Sequence, residues 1–216
     1  MKKDEAKARI REIGIFPGIR VNATKHALYA AEMLRAAGIP VAEITMTVPE
    51  GVTVIRELAQ RFPDFVVGAG TVLDAETAKR CLDAGARFIT STGFVVDVIE
   101  ATLRANVVAI PGALTPSEVI ACWKAGADFV KIFPVASVGG DLYVRSLKLP
   151  LPHIELIAAG GVNQQNAIDF IVAGSTALGV GSELLPKDAI LKQQDRRIHE
   201  LARRFLGFVS EGRAHA

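Results

Sequence analysis

Short apolar runs alternate with amphipathic segments along the whole chain. Most of the apolar runs are almost continuous, as is typical of parallel strands that are covered on both faces. The segments between them show the spacing of helices that bury one face. The pattern predicts eight alternations of strand and helix. The predicted strands span residues 13–19, 42–46, 65–68, 88–91, 107–110, 129–133, 155–158 and 177–180.

A junction of helix, glycine and strand returns four times. Its glycines are separated by 47, 41 and 48 residues and are Gly38, Gly85, Gly126 and Gly174. Each follows a helical pattern and precedes an apolar run, where a helix commonly ends in a left-handed residue. Since each spacing is about the length of two strand–helix units, the glycines are expected before strands 2, 4, 6 and 8.

Local signals mark where several helices begin. The run 115–118 (Thr-Pro-Ser-Glu) combines an N-cap, a proline in the first turn and an acid three residues after the cap. Asp74 precedes a similar start, and Asn163 is a suitable N-cap for the helix after strand 7. Further helices are predicted at residues 3–12 and at about 188–210.

The even alternation has no linker-like break, which favours one closed barrel. We therefore interpret residues 1–216 as a single α/β domain, a (βα)8 TIM barrel with an extra N-terminal helix and a C-terminal helix. The length suffices for one domain, although it is somewhat short for such a barrel. The alternative is an open doubly wound sheet, which needs fewer strands.

The composition is that of a soluble globular enzyme. Half of the residues are apolar, 22% are charged and the net charge is +2. No basic block points to nucleic acid or to an anionic membrane surface. No segment has the pattern of a signal peptide or the length of a membrane span, so a cytoplasmic location is predicted.

Several residue types that often carry chemistry have ordinary interpretations here. Cys81 and Cys122 lack metal-ligand spacing and are expected to be reduced core residues. The four histidines also lack such spacing, so no metal is predicted. The segment 68–70 lacks the third glycine of a dinucleotide fingerprint, and no cofactor is predicted. Trp123 and Met33 are expected in the helix core.

In a TIM barrel the active site lies at the C-terminal ends of the strands. This rule selects a small set of polar and glycine residues from the predicted strand ends. They are Arg20, Glu43, Thr45, Thr47, Thr71, Ser91, Thr92, Gly112, Lys131, Gly160, Gly161, Gly181 and Ser182.

Lys131 lies in the middle of an apolar predicted strand. By strand periodicity its side chain shares one face with Phe129 and Phe133. A lysine in such surroundings either pairs with a carboxylate or loses its proton near neutral pH and becomes an amine nucleophile. The alternative is a structural lysine whose stem packs while its ammonium group reaches water.

Glu43 is the only acid in the apolar run 41–46. Burial of a carboxylate is costly unless the group is paired or functional. It is interpreted equally well as a structural counter-ion of Lys131 and as a general acid/base. Strands 2 and 6 are opposite in an eight-stranded barrel, so the two side chains are expected to face each other across the mouth.

A Gly160-Gly161 pair follows predicted strand 7, and a Gly181-Ser182 pair follows predicted strand 8. Backbone N–H groups at these two ends often bind a phosphate in this fold. Tight turns alone would explain either pair. Arg20 is expected to add charge to this site or to bind a substrate carboxylate.

Six motifs in register resemble the bacterial KHG/KDPG aldolases, over about residues 10–186. KDPG is 2-keto-3-deoxy-6-phosphogluconate, and KHG is 4-hydroxy-2-oxoglutarate. The motifs are Glu43-Ile44-Thr45-Met46-Thr47-Val48-Pro49, Val67-Gly68-Ala69-Gly70-Thr71-Val72, Ile110-Pro111-Gly112, Lys131-Ile132-Phe133-Pro134, Gly160-Gly161-Val162 and Gly179-Val180-Gly181-Ser182.

The resemblance implies a role for each matched residue. Lys131 is similar to the lysine that forms a Schiff base with the substrate ketone, and Glu43 to the general acid/base. The remaining matches imply substrate binding, with the phosphate cradle formed by the last four. They are Arg20, Thr47, Thr71, Gly112, Phe133, Gly160, Gly161, Gly181 and Ser182. The family uses no metal or cofactor and usually forms a homotrimer.

The resemblance therefore implies a lyase of the Entner-Doudoroff pathway, a class I aldolase that cleaves KDPG to pyruvate and glyceraldehyde 3-phosphate. KHG, which yields pyruvate and glyoxylate, is a further expected substrate. A phosphosugar isomerase or epimerase and a non-catalytic sugar-phosphate sensor are the rival functions.

Two positions depart from the family pattern. Thr92 replaces a proline, and Ala159 replaces a threonine that lies near the substrate hydroxyls. Enzymes for the galactonate epimer of KDPG lack that threonine too. This epimer therefore stays a second possible substrate.

Overall fold

Nine parallel strands are present in the computed structural model, which describes residues 1–216, and a helix follows every strand except the fifth. The strands are β1 (Ile15–Ile19), β2 (Val41–Thr45), β3 (Val66–Gly70), β4 (Phe88–Thr90), β5 (Val108–Ile110), β6 (Gly112–Ala113), β7 (Val130–Ile132), β8 (Leu156–Ala159) and β9 (Ser175–Val180). The helices are α1 (Lys3–Ile13), α2 (Thr24–Ala36), α3 (Gly51–Arg61), α4 (Ala75–Asp83), α5 (Val96–Arg104), α6 (Pro116–Lys124), α7 (Gly140–Lys148), α8 (Ala167–Val172), α9 (Lys187–Leu191) and α10 (Asp195–Ala214), with a short 3-10 helix at Val135–Val138.

The strands form one sheet in the order β5-β4-β3-β2-β1-β9-β8-β7-β6. The two ends of this order, β5 and β6, are separated in sequence only by Pro111. Lys131 N of β7 donates to Pro111 O at 2.9 Å, so β7 pairs with the segment that joins the two sheet ends. The sheet is therefore a nearly closed parallel barrel. The prediction of eight strands is corrected to nine, because the run at 107–110 continues beyond the proline as β6.

The four junction glycines have the predicted left-handed backbone, with φ of +88°, +100°, +91° and +102°. They precede β2, β4, β7 and β9, which confirms the predicted placement once the division at Pro111 is counted. Gly14 ends α1 in the same way, with φ +65° and its N–H donating to Ile10 O. For this reason β1 begins at Ile15, two residues after the predicted start.

The helix starts are partly as predicted. Thr115 and Asp74 cap α6 and α4, and their side chains accept from Glu118 N and Thr77 N. Backbone N–H donors in this capping box hold the pKa of Glu118 below its usual value. The prediction for Asn163 is confirmed only in part. Its side chain accepts from Gln165 N and Asn166 N, as an N-cap does, but it caps the turn that leads into α8, and the helix itself begins after Asn166.

The chain end contains two helices, α9 and α10, where the sequence pattern predicts one at about 188–210. Gln193 between them has φ +49°, a left-handed backbone that interrupts the helix. No helix combines the length and the apolar composition that a membrane span requires.

The interior of the barrel is filled by apolar side chains from α1 and from the strands. Ile10 of α1 is fully buried there, in one cluster with Phe16, Phe88 and Phe129. Helix α1 thus covers the N-terminal end of the barrel. A second, larger cluster packs the helices against the outside of the strands. Met33 packs against it as expected, whereas the prediction for Trp123 is wrong, since 46% of its surface is exposed.

Candidate active site

A cavity of about 520 Å³ lies at the C-terminal ends of the strands, the end opposite α1. Its walls come mainly from β1, β2, β7, β8 and β9 and from the loops that follow them. Nine of the predicted site residues line it. They are Arg20, Glu43, Thr45, Lys131, Phe133, Gly160, Gly161, Gly181 and Ser182.

Lys131 occupies the centre of β7 and points into this cavity. The strand positions on either side, Val130 and Ile132, are buried on the opposite face, whereas the Lys131 side chain is 14% exposed. Its Nζ lies 5.7 Å from the centre of the Phe133 ring. The alternation of a strand thus places an amine in a mostly apolar wall that substrate can reach.

Glu43 occupies the corresponding position in β2, with a side chain that is only 5% exposed. Its Oε2 lies 3.4 Å from Lys131 Nζ, a long contact for a charged pair. The strands that carry them are separated by β1, β9 and β8 on one side and by β3, β4 and the β5–β6 segment on the other. The predicted placement of the two side chains across the barrel from each other is therefore observed.

Two further contacts surround the Glu43 carboxylate. Thr90 Oγ1 donates to Oε2 at 2.8 Å. A Cβ on Gly70 would lie 2.1 Å from Oε1, so a larger residue at that position would overlap the carboxylate. The glycine of β3 therefore makes room for the acid of β2.

Unpaired backbone donors gather at the other end of the cavity. The N–H groups of Gly161, Val162, Gly181 and Ser182 donate to no acceptor of the protein, although all four residues line the cavity. The conformation depends on glycine at residue 161, where φ is +92° and a Cβ would lie 2.3 Å from Ala136 Cβ. Such a group of free donors is suited to an anion with several oxygens.

Charged side chains stand at the rim of the same cavity. Arg20 follows β1 and is exposed, and Lys187 opens α9. Glu183 lines the cavity next to the Gly181-Ser182 pair. The two cations can attract an anionic substrate, and the carboxylate restricts where its charges can lie.

Three residues expected to bind substrate lie outside the cavity lining. Thr47 reaches it only through Thr45, whose Oγ1 lies 2.7 Å from Thr47 Oγ1. Thr71 follows β3 with φ +60°. Gly112 is buried beside Lys131 in the sheet, and a Cβ there would lie 2.2 Å from Thr92 O. Close packing against the backbone of the loop that follows β4 thus accounts for glycine at position 112.

The sequence pattern does not single out every residue of the site. Thr90 could have been identified from the sequence, because strand periodicity places its side chain on the same interior face as that of Phe88. Asn163, Glu183 and Lys187 line the cavity from loops and a helix start. The sequence carries no signal for the direction of a loop side chain.

The residues of the cavity form two functional ends. An amine and a carboxylate lie together at the inner end, which is suited to addition of the amine to a carbonyl carbon with proton transfer by the acid. Free N–H groups and cations lie at the other end, which is suited to an anionic group of the same molecule.

Comparison with known proteins identifies a family and several similar structures. The family model for KDPG and KHG aldolase matches residues 6–201. The 2-dehydro-3-deoxy-phosphogluconate aldolase of Pseudomonas aeruginosa is 30% identical over 205 residues, which are 95% of this chain and 93% of that protein. A native KDPGal structure has a TM-score of 0.85 and 27% identity, covering 93% of this chain and 96% of that one. The KDPG aldolase of Legionella pneumophila, solved with pyruvate captured as a covalent carbinolamine, has a TM-score of 0.85 and 29% identity, covering 91% of this chain and 96% of that one.

Proposed function

Because the chain belongs to the KDPG and KHG aldolase family, we propose that it is a class I aldolase that cleaves KDPG through a Schiff base on Lys131. The products are pyruvate and glyceraldehyde 3-phosphate. The observation that carries the proposal is the position of Lys131 Nζ in the wall of the cavity, 3.4 Å from Glu43 Oε2. An amine with a carboxylate at this distance meets the need of imine chemistry for a nucleophile and a proton carrier.

The first stage forms the imine. The neutral amine of Lys131 attacks the C2 carbonyl carbon of the substrate and gives a carbinolamine. Loss of water then gives a protonated imine. Its positive charge draws electrons from the neighbouring carbon, which is the reason for covalent catalysis in this reaction.

The second stage breaks the C3–C4 bond. Glu43 takes the proton of the C4 hydroxyl, through a water molecule, while the bond electrons move to the imine and form an enamine. Glyceraldehyde 3-phosphate leaves. Glu43 then returns a proton to C3, and hydrolysis of the imine frees pyruvate and the lysine. The same carboxylate thus takes the proton in cleavage and returns one to the enamine.

The substrate is positioned by its phosphate. We propose that the free N–H groups of Gly161, Val162, Gly181 and Ser182 bind the phosphate oxygens. Gly160 and Phe133 complete the same wall, and Arg20 binds the phosphate or the carboxylate of the substrate. Such fixation at both ends holds the C3–C4 bond beside the acid. Thr47 then acts through Thr45 and Gly112 through its place beside Lys131, and Thr71 is a further proposed substrate contact after β3.

The galactonate epimer is a second candidate substrate. Ala159 lines the cavity and offers no hydroxyl to the substrate at that point, so the side chain itself does not select one epimer. KHG lacks a phosphate and would use only the Lys131 end of the site.

An isomerase, an epimerase or a sugar-phosphate sensor would need the anion-binding end but no nucleophilic amine.

We further propose that the functional unit is a cytoplasmic homotrimer of (βα)8 barrels, in which β5 and β6 count as one strand interrupted at Pro111. Exposed apolar side chains at Leu73, Phe94 and Val96 support self-association. They lie at the neighbouring starts of α4 and α5, which are joined by the hydrogen bond from Ala75 N to Asp97 Oδ2. The buried free thiols are in line with a reducing compartment.

A substrate panel tests the proposed reaction. Release of pyruvate is measured from KDPG, from its galactonate epimer and from KHG, with the wild type and with Lys131→Met. The wild type is expected to release pyruvate from KDPG, and Lys131→Met is expected to release none. Absence of pyruvate release from all three compounds by folded wild-type protein would refute it.

A further inference from the structure

Thr90 makes the shortest contact to the Glu43 carboxylate. Its Oγ1 donates to Oε2 at 2.8 Å, whereas Lys131 Nζ lies 3.4 Å from the same oxygen. Thr90 is fully buried at the end of β4, and its hydroxyl serves no other side chain. A buried hydroxyl that donates to a carboxylate forms one of the stronger classes of hydrogen bond in proteins.

The contact spans an intervening strand. Glu43 belongs to β2 and Thr90 to β4, with β3 between them. The carboxylate passes over Gly70 of β3, where a Cβ would lie 2.1 Å from both Cδ and Oε1. The absence of a side chain at this one position allows the acid to reach the hydroxyl.

The two oxygens of the carboxylate are thereby made unequal. Both donors, Thr90 and Lys131, contact Oε2, and Oε1 accepts no hydrogen bond from the protein. Oε1 is therefore the oxygen that is free to exchange a proton with the substrate or with water.

The donor from Lys131 changes during the proposed cycle. Once its nitrogen has formed an imine, it carries at most one hydrogen and is held by the substrate. Thr90 is then the protein donor that stays on Oε2 while the proton moves. We propose that Thr90 is a positioning residue that keeps Glu43 oriented, with Oε1 toward the reacting atoms, through cleavage and protonation. This inference rests on the proposed function.

The test compares Thr90→Val, which removes the hydroxyl at almost constant shape, with Thr90→Ser, which keeps it. Thr102→Val is the matched control, because Thr102 is also buried but donates to Val98 O within α5. Three quantities are measured. They are kcat and KM for KDPG, the rate of deuterium uptake into the methyl group of pyruvate in D2O, and the yield of pyruvate trapped by borohydride.

Thr90→Val is expected to lower kcat and deuterium uptake by about 10- to 100-fold, the factor that corresponds to loss of a hydrogen bond to a charged group. KM and the trapping yield stay within about threefold, because the amine and the phosphate end are untouched. Thr90→Ser recovers most of the rate, and Thr102→Val behaves as the wild type. If Thr90→Val does not fold, Thr90→Ala is expected to show the same pattern.

Two results would overturn the inference. One is a wild-type rate of deuterium uptake in Thr90→Val. The other is an equal loss in Thr90→Ser and Thr90→Val, which would show that the size of the side chain matters and the hydroxyl does not. A wild-type protein that traps no pyruvate would instead overturn the proposed function, so the two failures are distinguishable.

Discussion

Lys131 Nζ and Glu43 Oε2 lie 3.4 Å apart, although their strands stand on opposite sides of the barrel. Both side chains project inward above the apolar layer that contains Phe129 and Phe16. The layer excludes water beneath the pair, and the cavity admits substrate from above. A lysine and an acid that are separated by 88 positions in sequence are thereby placed to act on one bound molecule.

Glu43→Gln separates imine formation from proton transfer. The variant keeps the shape of the side chain but cannot carry a proton, so kcat is expected to fall on the order of 10²- to 10⁴-fold. Trapping of pyruvate by borohydride remains. Glu100→Gln on the exposed face of α5 is the control and keeps full activity. Wild-type turnover by Glu43→Gln would remove this residue from the mechanism.

Ala159→Thr tests the choice of sugar epimer. The new hydroxyl would project from the cavity wall, where it can bond a substrate hydroxyl. The ratio of kcat/KM for KDPG to that for the galactonate epimer is expected to rise by about 2- to 10-fold, as one neutral hydrogen bond allows. Ala159→Val has the same shape without the hydroxyl. An equal change in both variants would show that the effect is steric.

Gly161→Ala tests the anion-binding end. The left-handed φ and the overlap with Ala136 strain any side chain at this position. KM for KDPG is expected to rise by about tenfold, which corresponds to about 1.4 kcal/mol, while KM for unphosphorylated KHG changes little.

Gly207→Ala is the control for that substitution. Gly207 is exposed inside α10 with no atom near a new Cβ, and alanine should raise the free energy of unfolding by about 0.5–1 kcal/mol without effect on KM. Urea denaturation measures both stabilities. Equal KM values for KDPG in Gly161→Ala and in the wild type would exclude residue 161 from the phosphate site.

The two cysteines are expected to be unreactive in the folded protein. Burial raises the pKa of the Cys81 thiol to about 11 and that of Cys122 to about 12. At pH 7 a thiol reagent should therefore modify neither residue until the protein is unfolded, and both thereafter. The folded pKa values of both thiols exceed the ordinary value of 9.0. The stabilisation that comes from burying the neutral thiols is therefore complete below pH 9, and it is lost as the pH rises through about 11 to 12. Rapid modification of the native protein would contradict the burial of these thiols.

Much of the fold is predictable because parallel strands covered on both faces leave nearly continuous apolar runs, and the junction glycines mark the helix ends. The division of a strand at Pro111 and the break at Gln193 are not predictable in this way, since each depends on the local backbone conformation. Helical periodicity identifies the side of α6 that carries Trp123, but it does not tell how far a neighbouring element covers it.

The candidate site also contains residues that the sequence predicts and residues that only the folded structure identifies. Lys131 and Glu43 are predictable because a charge inside an apolar strand is costly and so indicates a role. Glu43 of β2 can contact Thr90 of β4 only because residue 70 of the intervening strand β3 has no side chain. This coincidence depends on the register of β2, β3 and β4. For the same reason the positions of Thr47, Thr71 and Gly112 outside the cavity lining emerge only from the folded structure.

Borohydride reduction in the presence of pyruvate, followed by peptide mapping, shows whether Lys131 forms the Schiff base. One reduced pyruvate adduct per chain is expected, on the peptide that contains Lys131. Lys131→Met should abolish it, and Lys124→Met, at the exposed end of α6, should leave it unchanged. A folded wild-type protein that carries no adduct on Lys131 would contradict the Schiff-base mechanism.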